Sequence, residues 1–329
     1  LTNFFSVLSG RDKLNQNNFN NEKEEKLFNE LINYNWLRIE SALVNFIETK
    51  IIISRKKYLK YPILDMGCGD GLYTSILFGA ELNKNYDAYE SIDFNEADIY
   101  NFYKKIPNDI LKSKPAPIGF GLDIRKNSVK KARDLKVYDQ VKAGDFRKMP
   151  FKKNSVNCVF SNAIDDIKES DLPIVFNEVN RVLKKGRYFI FTAPAKNFRK
   201  YLLYYNKALK YKKQNDRLNY SLYLKLDRGR SEWAPRSQVF WDDVLKKNSF
   251  ELVEYIEYGN KNLFEFWDTG FRPFFYYLMN LRNILREQKL YLPFKKVFLE
   301  LIKGHILKYT ENQVVRNGAF AVVVAKKIN

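Results

Sequence analysis

The residues best placed to do chemistry lie in Asp65-Met66-Gly67-Cys68-Gly69-Asp70-Gly71. An acid ends the short apolar run Pro62-Ile63-Leu64, and glycine then takes every second position. Glycine lets a backbone turn tightly and come close to a ligand, and a helix beginning at Leu72 offers unpaired N–H groups at its start. A dinucleotide fingerprint would need a small residue where Leu72 stands, and a phosphate-cradling loop would end in Gly-Lys-Ser/Thr, so neither is present. A second acid, Asp123, ends the run Ile118-Gly119-Phe120-Gly121-Leu122. In a nucleotide-binding α/β unit an acid at the end of the second strand can accept hydrogen bonds from both ribose hydroxyls. Asp123 lies 52 residues after Gly71 (71 to 123), against ~20 in the dinucleotide folds. Residues 80–116 therefore read as an insertion. Asp93, in Glu90-Ser91-Ile92-Asp93, is a rival for the same role, and Asp123 is preferred. A third group is the acid pair Asp165-Asp166, which could orient or deprotonate a substrate, although acids at a helix start are also favoured by plain electrostatics. The single histidine, His305, sits in an apolar helix-like run and reads as structural.

The elements that must position these groups alternate between strand and helix. Buried strands are expected at 61–66, 117–123, 141–146, 154–162, 188–194, 250–256 and 320–325. Helices follow Leu72 and Arg125, end at Arg181-Val182-Leu183-Lys184-Lys185-Gly186, and include Trp241-Asp242-Asp243-Val244-Leu245. Residues 1–20 are polar and Asn-rich and read as loose, and 21–50 as one or two amphipathic helices.

The alternation Asp65-x-Gly67-x-Gly69-x-Gly71 resembles the first motif of the class I S-adenosylmethionine-dependent methyltransferases. Gly144-Asp145-Phe146 resembles that family's third cofactor segment. Arg181 to Arg187 is similar to the Arg-Val-Leu-Lys-Pro-Gly-Gly segment of the type 11, quinone-biosynthesis-like group, with Lys185 and Arg187 in place of its Pro and second Gly. The resemblance covers 60–195. It implies an α/β, Rossmann-like, seven-stranded and mostly parallel sheet with the last strand antiparallel, helices on both faces, and S-adenosyl-L-methionine as cofactor. It implies an N-terminal helical cap over 1–59 and a catalytic domain over 60–329, with insertions at 80–116, 195–235 and 260–316. The cofactor-binding set it implies is Asp65, Gly67, Cys68, Gly69, Gly71, Asp123, Ile124, Asp145, Phe146, Ser161 and Asn162. Asp65 would brace the loop, Asp123 hold the ribose, Asp145 the adenine amine with Phe146 on the ring, and Ser161 and Asn162 line the methyl-donor end. Cys68 stands where relatives often have Cys or Ser and is not expected to be a nucleophile. Asp165 and Asp166 are the catalytic candidates; related enzymes often have Glu-His there, so Asp166 takes the place of a histidine base.

Composition bounds the partners. The chain has 329 residues, 45% of them hydrophobic, two cysteines and one histidine. A disulfide framework and a Cys/His metal site are not expected, and a cytoplasmic location fits. No signal peptide or membrane span is visible, and a start at Leu1 leaves open a natural N-terminus further upstream. The net charge is +19, and 195–235 and 260–316 contribute most of it, interleaved with aromatic side chains. Basic amphipathic helices can lie on an anionic membrane surface or shape a greasy pocket. The expected reaction is methyl transfer to a small or lipid-linked, anionic metabolite. The rivals are an RNA methyltransferase using the basic insertions and a non-catalytic cofactor-binding protein. Ser161-Asn162-Ala163-Ile164 stands where enzymes that methylate base amines carry Asn/Asp-Pro-Pro-aromatic, which makes nucleic acid the weaker expectation.

Overall fold

The computed structural model describes residues 22–93 and 98–329. The expected loose segment at 1–20 lies outside them. The chain opens with α1 (Glu22–Tyr34) and α2 (Ile39–Ser54). The first is amphipathic. The second is apolar almost all round and buries eleven of its residues, so it runs through the core rather than over it. Strand β1 (Ile63–Met66) leads through the glycine loop into α3 (Leu72–Leu77). A two-stranded ribbon, β2 (Glu81–Leu82) with β3 (Leu111–Ser113), stands apart from the main sheet. Then come β4 (Gly119–Asp123), α4 (Lys126–Asp134), β5 (Gln140–Ala143), β6 (Val156–Ser161), α5 (Leu172–Val182) and β7 (Leu183–Pro194). A helical pair, α6 (Leu203–Lys213) and α7 (Arg217–Asp227), precedes α8 (Gln238–Lys247) and β8 (Phe250–Tyr258). A second excursion, α9 (Lys261–Thr269), α10 (Phe275–Glu287) and α11 (Tyr291–Leu307), ends in β9 (Phe320–Lys327).

The main sheet has seven strands in the order β5-β4-β1-β6-β7-β9-β8. The first five are parallel, and β9 runs antiparallel to both neighbours. Central β1 is flanked on both sides, Ile63 beside Gly119 and Cys158. Strands buried on both faces read as near-continuous apolar runs, which is why the sequence shows them. Strand β7 begins at Leu183, five residues before the expected start. The extra residues are taken up where the β6–β7 register shifts, near Gly186 at φ +72°. Both cysteines are buried and unpaired. No helix among the described residues is long and apolar enough to cross a membrane.

Outside the sheet, α10 and α11 are fixed by one buried carboxylate. Asp87 accepts hydrogen bonds from Trp36 Nε1 (2.9 Å), Arg282 Nε (3.1 Å) and Nη2 (3.0 Å), the Tyr89 N–H (3.0 Å) and the Tyr291 hydroxyl. Arg282 also pairs with Glu90. Burial is the largest influence and would raise the Asp87 pKa, but the Arg282 and Lys295 charges with the hydrogen bonds from Arg282 and Tyr291 together outweigh it and the group ends lowered. The stabilisation it contributes is therefore present above the unfolded carboxylate range and lost as pH falls below it. Removing one partner of a buried pair leaves the other charge uncompensated. Asp87→Ala should lower stability at neutral pH by about 3–5 kcal/mol, read by urea denaturation; a change below about 1 kcal/mol, the range of a surface pair, would show that α10 and α11 are held by packing instead.

Candidate active site

The loop after β1 is built on three glycines with positive φ, Gly67 (+90°), Gly69 (+55°) and Gly71 (+81°). A Cβ on Gly67 would lie 2.7 Å from that of Ala163, and one on Gly71 would lie 2.9 Å from the Tyr138 ring. Nothing lies within 4 Å of the position a Gly69 Cβ would take, so this face of the loop is open to a ligand. The Gly67 and Cys68 N–H groups donate to Leu122 O at 2.8 and 3.1 Å. Asp123, nearly buried at the end of β4, accepts from Gly69 N–H (3.0 Å) through Oδ2 and from Arg125 N–H (2.8 Å) through Oδ1. Each oxygen keeps acceptor capacity. Asp93 lies in a turn beyond the ribbon, bonded through its N–H to Ile99 O, so Asp123 is the acid at the strand end.

A cleft of about 640 Å³ opens over these groups at the carboxyl ends of β1, β4 and β6, where open α/β sheets bind ligands. Eight of the expected residues line it: Gly67, Gly69, Asp123, Ile124, Asp145, Phe146, Asn162 and Asp166. Five do not. Asp65 is buried and its carboxylate takes the Tyr138 hydroxyl at 2.5 Å, for which Gly71 makes room. Burial raises the Asp65 pKa to about 6 against the lowering effect of that bond. Cys68 packs with Val129, Ala132 and Val141 behind the loop. Ser161 is fully buried; its hydroxyl donates to Met66 O (2.7 Å) and accepts from Ala163 N–H (3.2 Å), so it staples two strand ends instead of lining the cleft.

The acid pair splits. Asp166 faces the cleft, where burial raises its pKa and the Arg125 charge opposes the rise. Asp165 is half-buried and does not line the cleft. Burial, then the charge of Asp166, push it up to about 7. Glu48 on α2 accepts from the Tyr258 and Tyr73 hydroxyls, each at 2.7 Å, and burial raises it too.

Several lining and buried groups were not expected from the sequence. Arg147 clamps the Asp145 carboxylate through Nη2 (2.6 Å) and Nε (3.1 Å) and lowers its pKa. Arg125 reaches Asp98 at 2.7 Å. Farther along α2, eight residues or about 12 Å from Glu48, Glu40 is fully buried with neither carboxylate oxygen hydrogen-bonded. Beside it stand Arg38 and Arg230, with Arg272 close to both, from three of the four segments outside the sheet. Arg230 is 1% exposed, lies 3.2 Å above the Trp267 ring, and donates through Nη1 to Trp267 O (2.8 Å) and Asp268 (3.2 Å). Its Nε and Nη2, the Arg38 Nε and the buried Tyr89 hydroxyl have no partner. Burial and the neighbouring Arg38 charge lower Arg272 to about 10. Burial, then the Asp70 charge, raise the Tyr34 hydroxyl well above its ordinary value. A sequence signal existed: two carboxylates in the otherwise apolar Ile39–Ser54 helix.

Residues 111–191 match the family model of a methyltransferase domain. The match holds β4, β5, β6, Asp123, Asp145 and Asn162, while the glycine loop lies upstream, across the ribbon. No curated protein matches the chain. Solved structures similar to it include a SAM-dependent methyltransferase from Thermotoga maritima, 14% identical with a TM-score of 0.44, covering 93% of this chain and 99% of that one. Another, from Methanosarcina mazei, is 13% identical with a TM-score of 0.40, covering 84% and 97%. The [4+2]-cyclase SpnF is 13% identical with a TM-score of 0.43, covering 85% and 81%. Likenesses of this size carry no weight for the reaction or the acceptor. The chain thus carries a methyltransferase domain, matched over residues 111–191, on a sheet of this order with this glycine loop at its centre.

Proposed function

We propose that the protein methylates a small or lipid-linked acceptor that carries an anionic group. The observation that carries this reading is the buried cluster around Glu40, where Arg38 and Arg230 hold unpaired donors. A buried donor without a partner costs about 1–3 kcal/mol, and an acidic acceptor group would remove that cost while neutralising crowded cations. The 80–116, 195–235 and 260–316 segments and the N-terminal cap would enclose that acceptor.

The cleft residues fit the cofactor. Gly67 and the open face of Gly69 would pass under its methionine part, Asp123 would take the ribose hydroxyls, and Ile124 and Phe146 would flank the adenine. Asp145 would accept from the adenine amine while still held by Arg147. Asn162 and Asp166 would stand at the methyl-donor end. Bound there, S-adenosylmethionine supplies an electrophilic methyl group on a sulfonium. The protein's part is to align the acceptor in line with it and to exclude water. Where the acceptor atom keeps a proton, Asp165 is the base: its raised pKa matches neutral pH.

An RNA acceptor is the weaker reading. In the basic α6–α7 pair, Tyr211 stacks on Tyr223 at 5.4 Å and Lys207 caps the latter ring, so these aromatics are engaged with one another and not offered to bases.

Three outcomes follow. Calorimetry should show micromolar S-adenosylmethionine and S-adenosylhomocysteine binding that Asp123→Ala weakens by at least about tenfold, the worth of a charged hydrogen bond; wild-type protein that binds neither would sink the reading. Labelled methyl transfer tested on lipid extracts and RNA should favour the lipid fraction, and Arg272→Gln should lower kcat/KM for the acceptor about 10–100-fold with cofactor affinity unchanged. RNA as the sole substrate would reverse the order of the two readings. Finally, the ionised fraction of Asp165 rises with pH through about 7, so kcat should climb over that range, and Asp165→Asn should remove the climb and cost about 10²–10⁴-fold. An unchanged profile would leave the transfer without a base at this position.

A further inference from the structure

Helices α10 and α11 carry apolar residues on both sides: Phe275, Met279, Leu285 and Tyr291 are buried against Trp36 and Leu37 on the inner ones. Their inner sides also bury charge: Arg282 on Asp87, and Lys295 beside the carbonyls of Lys84 and Tyr86. Their outer sides are apolar. Of the large hydrophobic side chains exposed among the described residues, ten lie between Phe274 and Leu301. Tyr277, Leu281 and Ile284 fall at helical spacing along α10, and Leu290, Phe294, Val297 and Leu301 do the same along the α11 side. Tyr277 is 70% exposed and Ile284 56%.

This orientation is not free to relax. Turning either helix to bury its leucines would pull Arg282 or Tyr291 off Asp87 and leave that carboxylate buried without its cation. The fold thus stabilises an exposed apolar face that a monomer in water would otherwise avoid. Exposed Lys289 lies in the turn between the two helices and exposed Lys296 next to Val297. The 260–316 segment carries ten basic and five acidic residues, within a chain of net charge +19. Neither helix is long and apolar enough to cross a bilayer.

We infer that the α10–α11 face docks on the surface of an anionic lipid bilayer, its apolar stripes in the headgroup boundary and its lysines among acidic headgroups. Apolar burial and attraction to anionic lipid are the two contributions that hold such helices in an interface, and both are present on one face. The inference goes beyond methyl transfer, and its test reads binding, not turnover.

The full chain would be sedimented with phosphatidylcholine vesicles, with and without phosphatidylglycerol. Binding should be at least about tenfold stronger to the anionic vesicles and should weaken as salt is raised. The triple variant Tyr277→Ser, Ile284→Ser, Val297→Ser should lose at least about tenfold in vesicle affinity, with thermal melting and S-adenosylmethionine binding unchanged. Lys289→Glu with Lys296→Glu should weaken anionic binding alone. Absence of binding at low salt, equal binding to both vesicle types, or a triple variant that binds like the wild type would overturn the inference. So would a dimer in light scattering that the triple variant abolishes, since a second copy would then cover the face. None of these results would touch the cofactor or acceptor reading.

Discussion

The carboxylate of Asp123 holds the site together, because it grips two backbone N–H groups that belong to different strand ends. One is Gly69, in the loop after β1; the other is Arg125, at the start of α4. The Gly67 and Cys68 amides return the contact by donating to Leu122. Two parallel neighbours, paired in the ladder as far as Met66 and Leu122, are thereby fastened beyond its end. The positive φ angles of the glycines follow from this closure, since the chain must leave β1, reach across to β4 and still enter α3. Ser161 fastens β6 to β1 on the other side.

The buried polar groups behind the cleft are governed by α2. This helix is mostly buried, yet two of its buried positions are the carboxylates Glu40 and Glu48. Glu48 is satisfied by Tyr73 and Tyr258, which brings α3 and the end of β8 to one point. Glu40 has no such partners and lies instead beside arginines from two separate segments. One end of the helix is a completed polar network and the other an incomplete one. Incomplete buried networks cost stability, so their persistence points to a ligand more than to packing.

Most of the sheet was legible in the sequence, because parallel strands covered on both faces leave apolar runs and a glycine-rich turn leaves its spacing. Asp123 could be told from Asp93 by the strand in front of it. Other features depend on direction, which a sequence does not record. Asp165 and Asp166 are adjacent, yet Asp166 lines the cleft and Asp165 does not. Cys68 and Ser161 sit in the right stretch with their side chains facing away from the cleft. The α10–α11 pair was hidden for a different reason: Arg282 finds Asp87 across 195 residues, so its pattern reads as an ordinary basic helix until the partner is seen.

The position of β9 bears on how the chain is made. This strand is the last element, yet it lies between β7 and β8 and is the sole partner of β8 in the sheet. Until residues 320–327 emerge from the ribosome, β7 and β8 both present bare hydrogen-bonding edges, and domains generally begin folding from the N-terminal side during synthesis. The nascent protein therefore spends translation of about seventy residues with β8 formed in sequence but unpaired in space. A helical excursion of that length delays closure of the sheet until β9 has been made.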